Sequence, residues 1–309
     1  MKTAFLFPGQ GSQSVGMLAD LATRHAQIRT TFDEASSALG DDLWALVQQG
    51  PEDRLNETRW TQPVMLAADI ALWRVYTHAN GAVPEAMAGH SLGEYAALVA
   101  AGAMSLADAI RVVHERGRLM QSAVGPGEGA MAAILGLEDQ LIEDICARHD
   151  GAVPANYNAP GQLVIAGRRD AVEAAAAECR TAGAKRVVLL PVSVPAHSPL
   201  MAPAEAGLRL ALDRIEIRPP RVTVIHNADL EAHPEPGAIR EALVAQLTRP
   251  VRWTETIARL QALGAGRFVE CGPGRVLTGL GRRIDRQAEW IALDDAQSLA
   301  TLTADKEDL

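Results

Sequence analysis

The pentapeptide Gly89-His90-Ser91-Leu92-Gly93 constrains this chain more than any other stretch. It stands between "PEAMAGH", which reads as a weak strand, and an alanine-rich apolar run with helical spacing from residue 91 to 101. The backbone must turn sharply from strand to helix there. Glycines flanking the serine let neighbouring chains approach closely enough for such an elbow. The turn holds the Ser91 hydroxyl out at the sheet edge, and the helix N-terminus aims its free amides at any oxyanion formed beside it. Ser91 therefore reads as a nucleophile. A turn that spells GxSxG by chance is the bland alternative, because five residues alone are a weak signal.

A serine hydroxyl needs a base. His25, His78, His114 and His149 fall in helical or helix-end contexts and read as surface or packed residues. His226 ends an apolar strand, and His233 lies in a proline-rich loop. His90 adjoins the serine, but an elbow turns that side chain away. His197, in "PVSVPAHSPLM", follows a buried strand and a proline-framed turn. A loop at a strand end beside a parallel sheet is where a base should sit. His197 is favoured over His226, and both remain candidates.

The opening "FPGQGSQ" also follows a short strand, Thr3–Phe7. Its exposed amides suit an oxyanion hole, with one donor from this loop and one from Leu92. It lacks the lysine and hydroxyl of a phosphate-binding loop and the glycine spacing of a dinucleotide fold. Arg116 lies in the mainly apolar helix "SLADAIRVVHERGRLMQ". It either snorkels or pairs with a core carboxylate, or it grips a substrate carboxylate with its planar fork.

Strands and helices alternate along most of the chain, which predicts an α/β fold with a mainly parallel sheet. The pattern changes after "VGPGEG" at 124–129. From there "AMAAILG", "LEDQLIEDICARH", "AVPANYN", "QLVIAG", "RDAVEAAAAECRTAG" and "KRVVLLPV" read β-α-β-β-α-β, the order of a ferredoxin-like unit. Residues 128–192 are therefore expected to form a ferredoxin-like (βαββαβ) small domain inserted in a hydrolase-like core made of 1–127 and 193–309. "ADKEDL" at the end reads as polar and frayed.

The formal net charge of −9 argues against nucleic acid or anionic membrane as a partner. No apolar run reaches 18 residues, and "MKTAFLFPGQGSQ" is too short in its apolar part for a signal peptide. Cys146, Cys179 and Cys271 show no CxxC spacing, so neither disulfides nor a metal site is expected, and a reducing cytoplasm fits.

Seven segments together carry a resemblance. They are "FPGQGSQ" with "VGM", "TQP" at 61–63, "GHSLGEYAAL", "RGRLMQ", "NYNAPGQLVIAG", "VSVPAHSPLM" and "ECGPGRVLTGL". In this order, from residue 3 to about 293, the chain resembles the malonyl-CoA:acyl carrier protein transacylases of bacterial fatty acid synthesis. The resemblance implies Ser91 as nucleophile, His197 as its base and Arg116 as the grip on the free malonyl carboxylate. It implies backbone donors at Gln10 and Leu92, and a Gln246 main-chain carbonyl that orients the histidine, hence a dyad. Gln62 and His90 match further pocket residues, and Asn158 one at the small-domain face. Malonyl-CoA and acyl carrier protein are the implied partners, with no cofactor, and a monomer is expected. Ala196, where serine is common in the family, and Pro199 depart from the pattern without removing a required group. Because such carrier proteins are acidic, Lys185, Arg186, Arg282 and Arg283 are expected to form part of a docking patch, with plain solvated charge as the alternative.

Overall fold

A computed structural model describes residues 1–192 and 194–304. Ser193, at an expected domain boundary, and the end of the tail expected to fray, 305–309, lie outside the described residues. Nine strands fall in two sheets among the described residues. In chain order they are β1 Lys2–Phe7, β2 Ala86–Gly89, β3 Gly129–Leu135, β4 Ala152–Ala159, β5 Gln162–Arg168, β6 Arg186–Leu189, β7 Thr223–Ile225, β8 Ala265–Glu270 and β9 Glu289–Ala292.

The larger sheet runs β7-β2-β1-β8-β9, and each neighbouring pair is parallel. Its inner strands are apolar on both faces, as a sheet covered on both sides requires. Phe5, Phe7, Met87 and Val269 join one apolar cluster, with the helices Thr58–His78, Gly93–Ala100 and Leu106–Ser122. Ala4, Leu6, Ala88 and Phe268 join the other, with Trp253, Ile257 and Leu280. The alternation along β1 is the two-residue period of a strand expressed on two buried faces.

The smaller sheet runs β4-β5-β3-β6 and is antiparallel throughout. The helices Asp139–Arg148 and Arg169–Thr181 pack Ile142, Ile145, Val172 and Cys179 against Ile134, Leu163 and Ile165. The element order read from the sequence is therefore present. The sheets are joined by backbone. Tyr157 N–H donates to Val251 C=O, and Val251 N–H donates to Ala155 C=O, each at 2.8 Å.

Two expectations change. "KRVVLLPV" forms only Arg186–Leu189, and it is a half-exposed edge strand, not a buried one, because only β3 flanks it. "RVTVIHNA" forms strand only over Thr223–Ile225, since His226 N–H turns to Glu231 C=O and the chain leaves the sheet.

Candidate active site

The loops leaving β1 and β2 meet at Ser91, and the flanking glycines explain why they can. A Cβ on Gly89 would lie 1.8 Å from the Gly93 carbonyl carbon, and one on Gly93 would lie 2.0 Å from the Phe7 carbonyl oxygen. A Cβ on Gly9 would reach 2.6 Å from the His90 carbonyl oxygen, so the "FPGQG" loop packs backbone to backbone on the elbow. Ser91 itself has φ +51°, the left-handed region that L-residues seldom adopt. Such strain persists only when its surroundings hold it. Here Asn227 accepts from Ser91 N–H through Oδ1 and donates to Gly89 C=O through Nδ2, both at 2.8 Å.

His197 Nε2 lies 2.7 Å from Ser91 Oγ. Its Nδ1 donates to the Gln246 main-chain carbonyl at 2.8 Å, with Arg249 C=O at 3.2 Å. Carbonyl oxygens only accept, so the proton sits on Nδ1 and Nε2 keeps its lone pair for the serine hydroxyl. The imidazole is buried, and burial together with the Arg116 guanidinium holds its pKa down at about 3. His226, the rival base, is fully buried with Nδ1 at 2.7 Å from Glu94 Oε1, away from the serine oxygen.

Arg116 is 2% exposed. Its helix is brought close by Gly117, where a Cβ would meet Arg59 Cα at 2.6 Å. Nη1 donates to Gln62 Oε1 and one bond from Nη2 goes to Gln246 Oε1, each at 2.9 Å, while Nη2 also lies 3.5 Å from Ser91 Oγ. Nε has no hydrogen-bond partner, and burial pulls the guanidinium pKa down. Among the described residues no carboxylate forms an ion pair with it. Neither snorkelling nor a core ion pair accounts for this arginine. A buried cation whose closest hydrogen-bond acceptors are two neutral carboxamides, with the Tyr95 ring 5.7 Å from its central carbon, is short of an anion.

Ser91, His197, Arg116 and Gln62 line one cavity of about 230 Å³. Gln10 and Leu92 line it too, at the loop and the helix start expected to supply amides. The small sheet closes the opposite wall with Met131, Asn158 and Val164. His90 also reaches this cavity, its Nε2 2.8 Å from Asn158 Oδ1, and burial lowers its pKa. Gln246 stands behind the wall, touching the histidine, the arginine and the elbow.

Over residues 4–308 the chain matches the family described as "Acyl transferase domain". The chain belongs to the acyl transferase family. This acyl transferase is 51% identical over 300 residues to the malonyl CoA-acyl carrier protein transacylase of Salmonella typhimurium, covering 96% of this chain and 97% of that one. It is 42% identical over 302 residues to the Bacillus subtilis protein of the same name, at 96% and 95% coverage. Its fold matches the malonyl-transacylase solved with its type II polyketide acyl carrier protein, PlMCAT:AntF, at TM-score 0.97 and 50% identity, covering 99% and 100% of the two chains.

Two residues of the acyl transferase site escaped the sequence reading. Glu94 sits in the first turn of the Gly93–Ala100 helix and is fully buried. Its carboxylate accepts from His226 Nδ1, Asn227 N–H and Gln246 Nε2. Asn227, the elbow clamp, adjoins His226. The available signals were an acid inside an otherwise apolar helix and a polar His-Asn pair ending an apolar strand.

Proposed function

We infer that this chain takes the malonyl group of malonyl-CoA onto Ser91 and passes it to the phosphopantetheine thiol of an acyl carrier protein, in fatty acid synthesis. The observation that carries the reading is the buried Arg116 guanidinium. It lacks a carboxylate, and it faces a serine–histidine pair set at hydrogen-bond distance. A carboxylate placed against it would satisfy both charges.

In the first half-reaction His197 Nε2 takes the Ser91 proton as Oγ attacks the thioester carbonyl. The amides of Gln10 and Leu92 stabilise the oxyanion. The tetrahedral adduct collapses, the C–S bond breaks, and the His197 imidazolium returns its proton to the leaving CoA sulfur. A malonyl-serine ester remains, its distal carboxylate on Arg116. In the second half the carrier thiol gives its proton to His197 and attacks the ester, and Ser91 leaves with that proton restored. No cofactor enters the scheme. Acetyl groups are rejected because they leave the guanidinium without an anion.

The same reading divides the chain into a hydrolase-like core, 1–127 and 193–309, and a ferredoxin-like insert, 128–192. The strand order β4-β5-β3-β6, with both helices packed on one side of that sheet, supports the insert. It also offers a docking patch. Arg186 lies opposite Leu135, and Leu135 opposite Gln162, across the small sheet. Arg283 donates to Gln162 Oε1 at 2.8 Å, and Gln162 lines the cavity. Exposed Arg186 and Arg283 therefore flank one cross-strand row, Leu135 and Gln162, whose Gln162 reaches the cavity, and Lys185 and Arg282, next to them in the chain, are exposed too. An acidic carrier would meet these charges.

The test is to mix the protein with malonyl-CoA and pantetheine and measure malonyl-pantetheine against free malonate. The inference expects the thioester to dominate. Malonate as the main product at saturating thiol overturns it in favour of a hydrolase.

A further inference from the structure

We propose that Glu94 is a positioning residue for acyl-group selectivity, acting on Arg116 through the side chain of Gln246. This rests on the reading of Arg116 as the grip on the substrate carboxylate.

The argument is one of hydrogen-bond polarity. A carboxamide has one end that donates and one that accepts, and rotating it by half a turn exchanges them. Gln246 must present its oxygen to Arg116 Nη2, 2.9 Å away, because guanidinium nitrogens only donate. Its Nε2 then has to find acceptors. It finds two, the Ser91 main-chain carbonyl at 2.9 Å and Glu94 Oε2 at 2.8 Å. Oε2 also accepts from Asn227 N–H, so it faces Gln246 as an acceptor and reinforces the orientation that Arg116 and Ser91 C=O require. Glu94 is in turn filled by donors. His226 Nδ1 stands 2.7 Å from Oε1 and Asn227 N–H 2.9 Å from Oε2. Glu94, His226, Asn227 and Gln246 are all fully buried, so water does not substitute for a lost partner.

The chain of contacts is short. Glu94 sets Gln246, Gln246 sets the Arg116 fork, and the fork faces Ser91 Oγ. Replacing Glu94 by leucine keeps the bulk and removes both acceptors; the amide would not, because its oxygen can stay on Asn227 N–H and Gln246 Nε2 while its NH2 faces His226 Nδ1. In the leucine variant His226 can move its proton to the unpartnered Nε2, but Asn227 N–H and Gln246 Nε2 each lose the Glu94 acceptor. Gln246 Nε2 is then left with Ser91 C=O alone, so the amide, and with it the Arg116 fork, is held less firmly. Because Asn227 and Gln246 also hold the Ser91 elbow, both substrates slow, but the loss falls harder on malonyl, which needs the fork, than on acetyl, which does not.

The experiment compares single-turnover acylation by malonyl-CoA and acetyl-CoA in the wild type, Glu94→Leu, Arg116→Ala and the double variant, with melting temperatures. One charge-assisted hydrogen bond corresponds to roughly tenfold or more in rate. The proposal expects Glu94→Leu to narrow the malonyl-to-acetyl ratio at least about tenfold, and to have no further effect on that ratio once Arg116 is alanine. Equal losses for both substrates, or an unchanged ratio, make Glu94 structural only and overturn the proposal. Should the leucine variant not fold, Glu94→Asp keeps the acceptor and shortens its reach. It is expected to narrow the ratio in the same direction, and an unchanged ratio overturns the proposal equally. A wild type without malonyl preference instead brings down the Arg116 reading itself, and the proposal with it.

Discussion

The nucleophile, base and guanidinium make separable claims. Burial and Arg116 hold the His197 pKa down at about 3, from an ordinary value near 6.5. The His197 imidazole is therefore neutral through the physiological range. The malonylation rate constant of the free enzyme is expected to stay level from pH 8 down to about pH 4, with no inflection near 6.5. Stopped-flow release of CoA across pH checks this, and a half-maximal rate near pH 6.5 would contradict it. The same shift fixes a stability slope. The unfolded chain takes up this proton below about 6.5 and the folded one does not. The contribution of His197 to stability is thus whole above that pH and declines as pH falls toward 3. Arg116→Ala is expected to lower malonyl acylation roughly 100-fold, two charge-assisted bonds' worth, while acetyl acylation holds or rises. Unchanged discrimination would exclude the carboxylate grip. Ser91 stood out locally, between the glycines of a strand-to-helix turn. His197 was only favoured over His226, and Arg116 was open between a packed and a carboxylate-gripping role, until the family resemblance was added. Glu94 and Asn227 were not legible. Their roles lie in contacts across more than 130 residues of chain, which no local pattern encodes.

The elbow is an element-scale device, and its glycines are not interchangeable with others in the chain. Gly93→Ala would drive a Cβ to 2.0 Å from the Phe7 carbonyl oxygen, between two backbones that cannot both yield. A loss of about 3 kcal/mol or more, or failure to accumulate folded protein, is expected. Gly279→Ala is the control. That glycine lies inside the Val276–Ile284 helix with nothing within 4 Å of a built Cβ. Helix propensity then predicts a gain of about 0.5–1 kcal/mol. Denaturant titration of both variants decides it, and equal effects would refute the close-approach account. Glycine and alternation patterns gave away the strands, helices and their order. Strand ends were less readable. The run after Arg221 stops being strand at Ile225 because His226 and Asn227 have partners off the sheet, and those partners are tertiary.

Across the whole molecule, the site depends on two sheets meeting. His90 on the large-sheet side and Asn158 on β4 bridge them at 2.8 Å beside the cavity. Asn158→Ala should loosen that wall and admit water to the acyl-serine. Free malonate release is expected to rise several-fold relative to transfer, as for any site that loses water exclusion. An unchanged partition would show that the bridge does not seal the cleft. The sequence announced the second sheet through its change of rhythm after residue 128, but not that its β4 would pair with Val251. That docking is set by the shapes of finished surfaces. Intact mass of the protein after brief mixing with malonyl-CoA tests the central claim most directly. The account predicts one malonyl group per chain on Ser91 in the wild type and none in Ser91→Ala. Stoichiometric malonylation that survives Ser91→Ala, at any other residue, would contradict it.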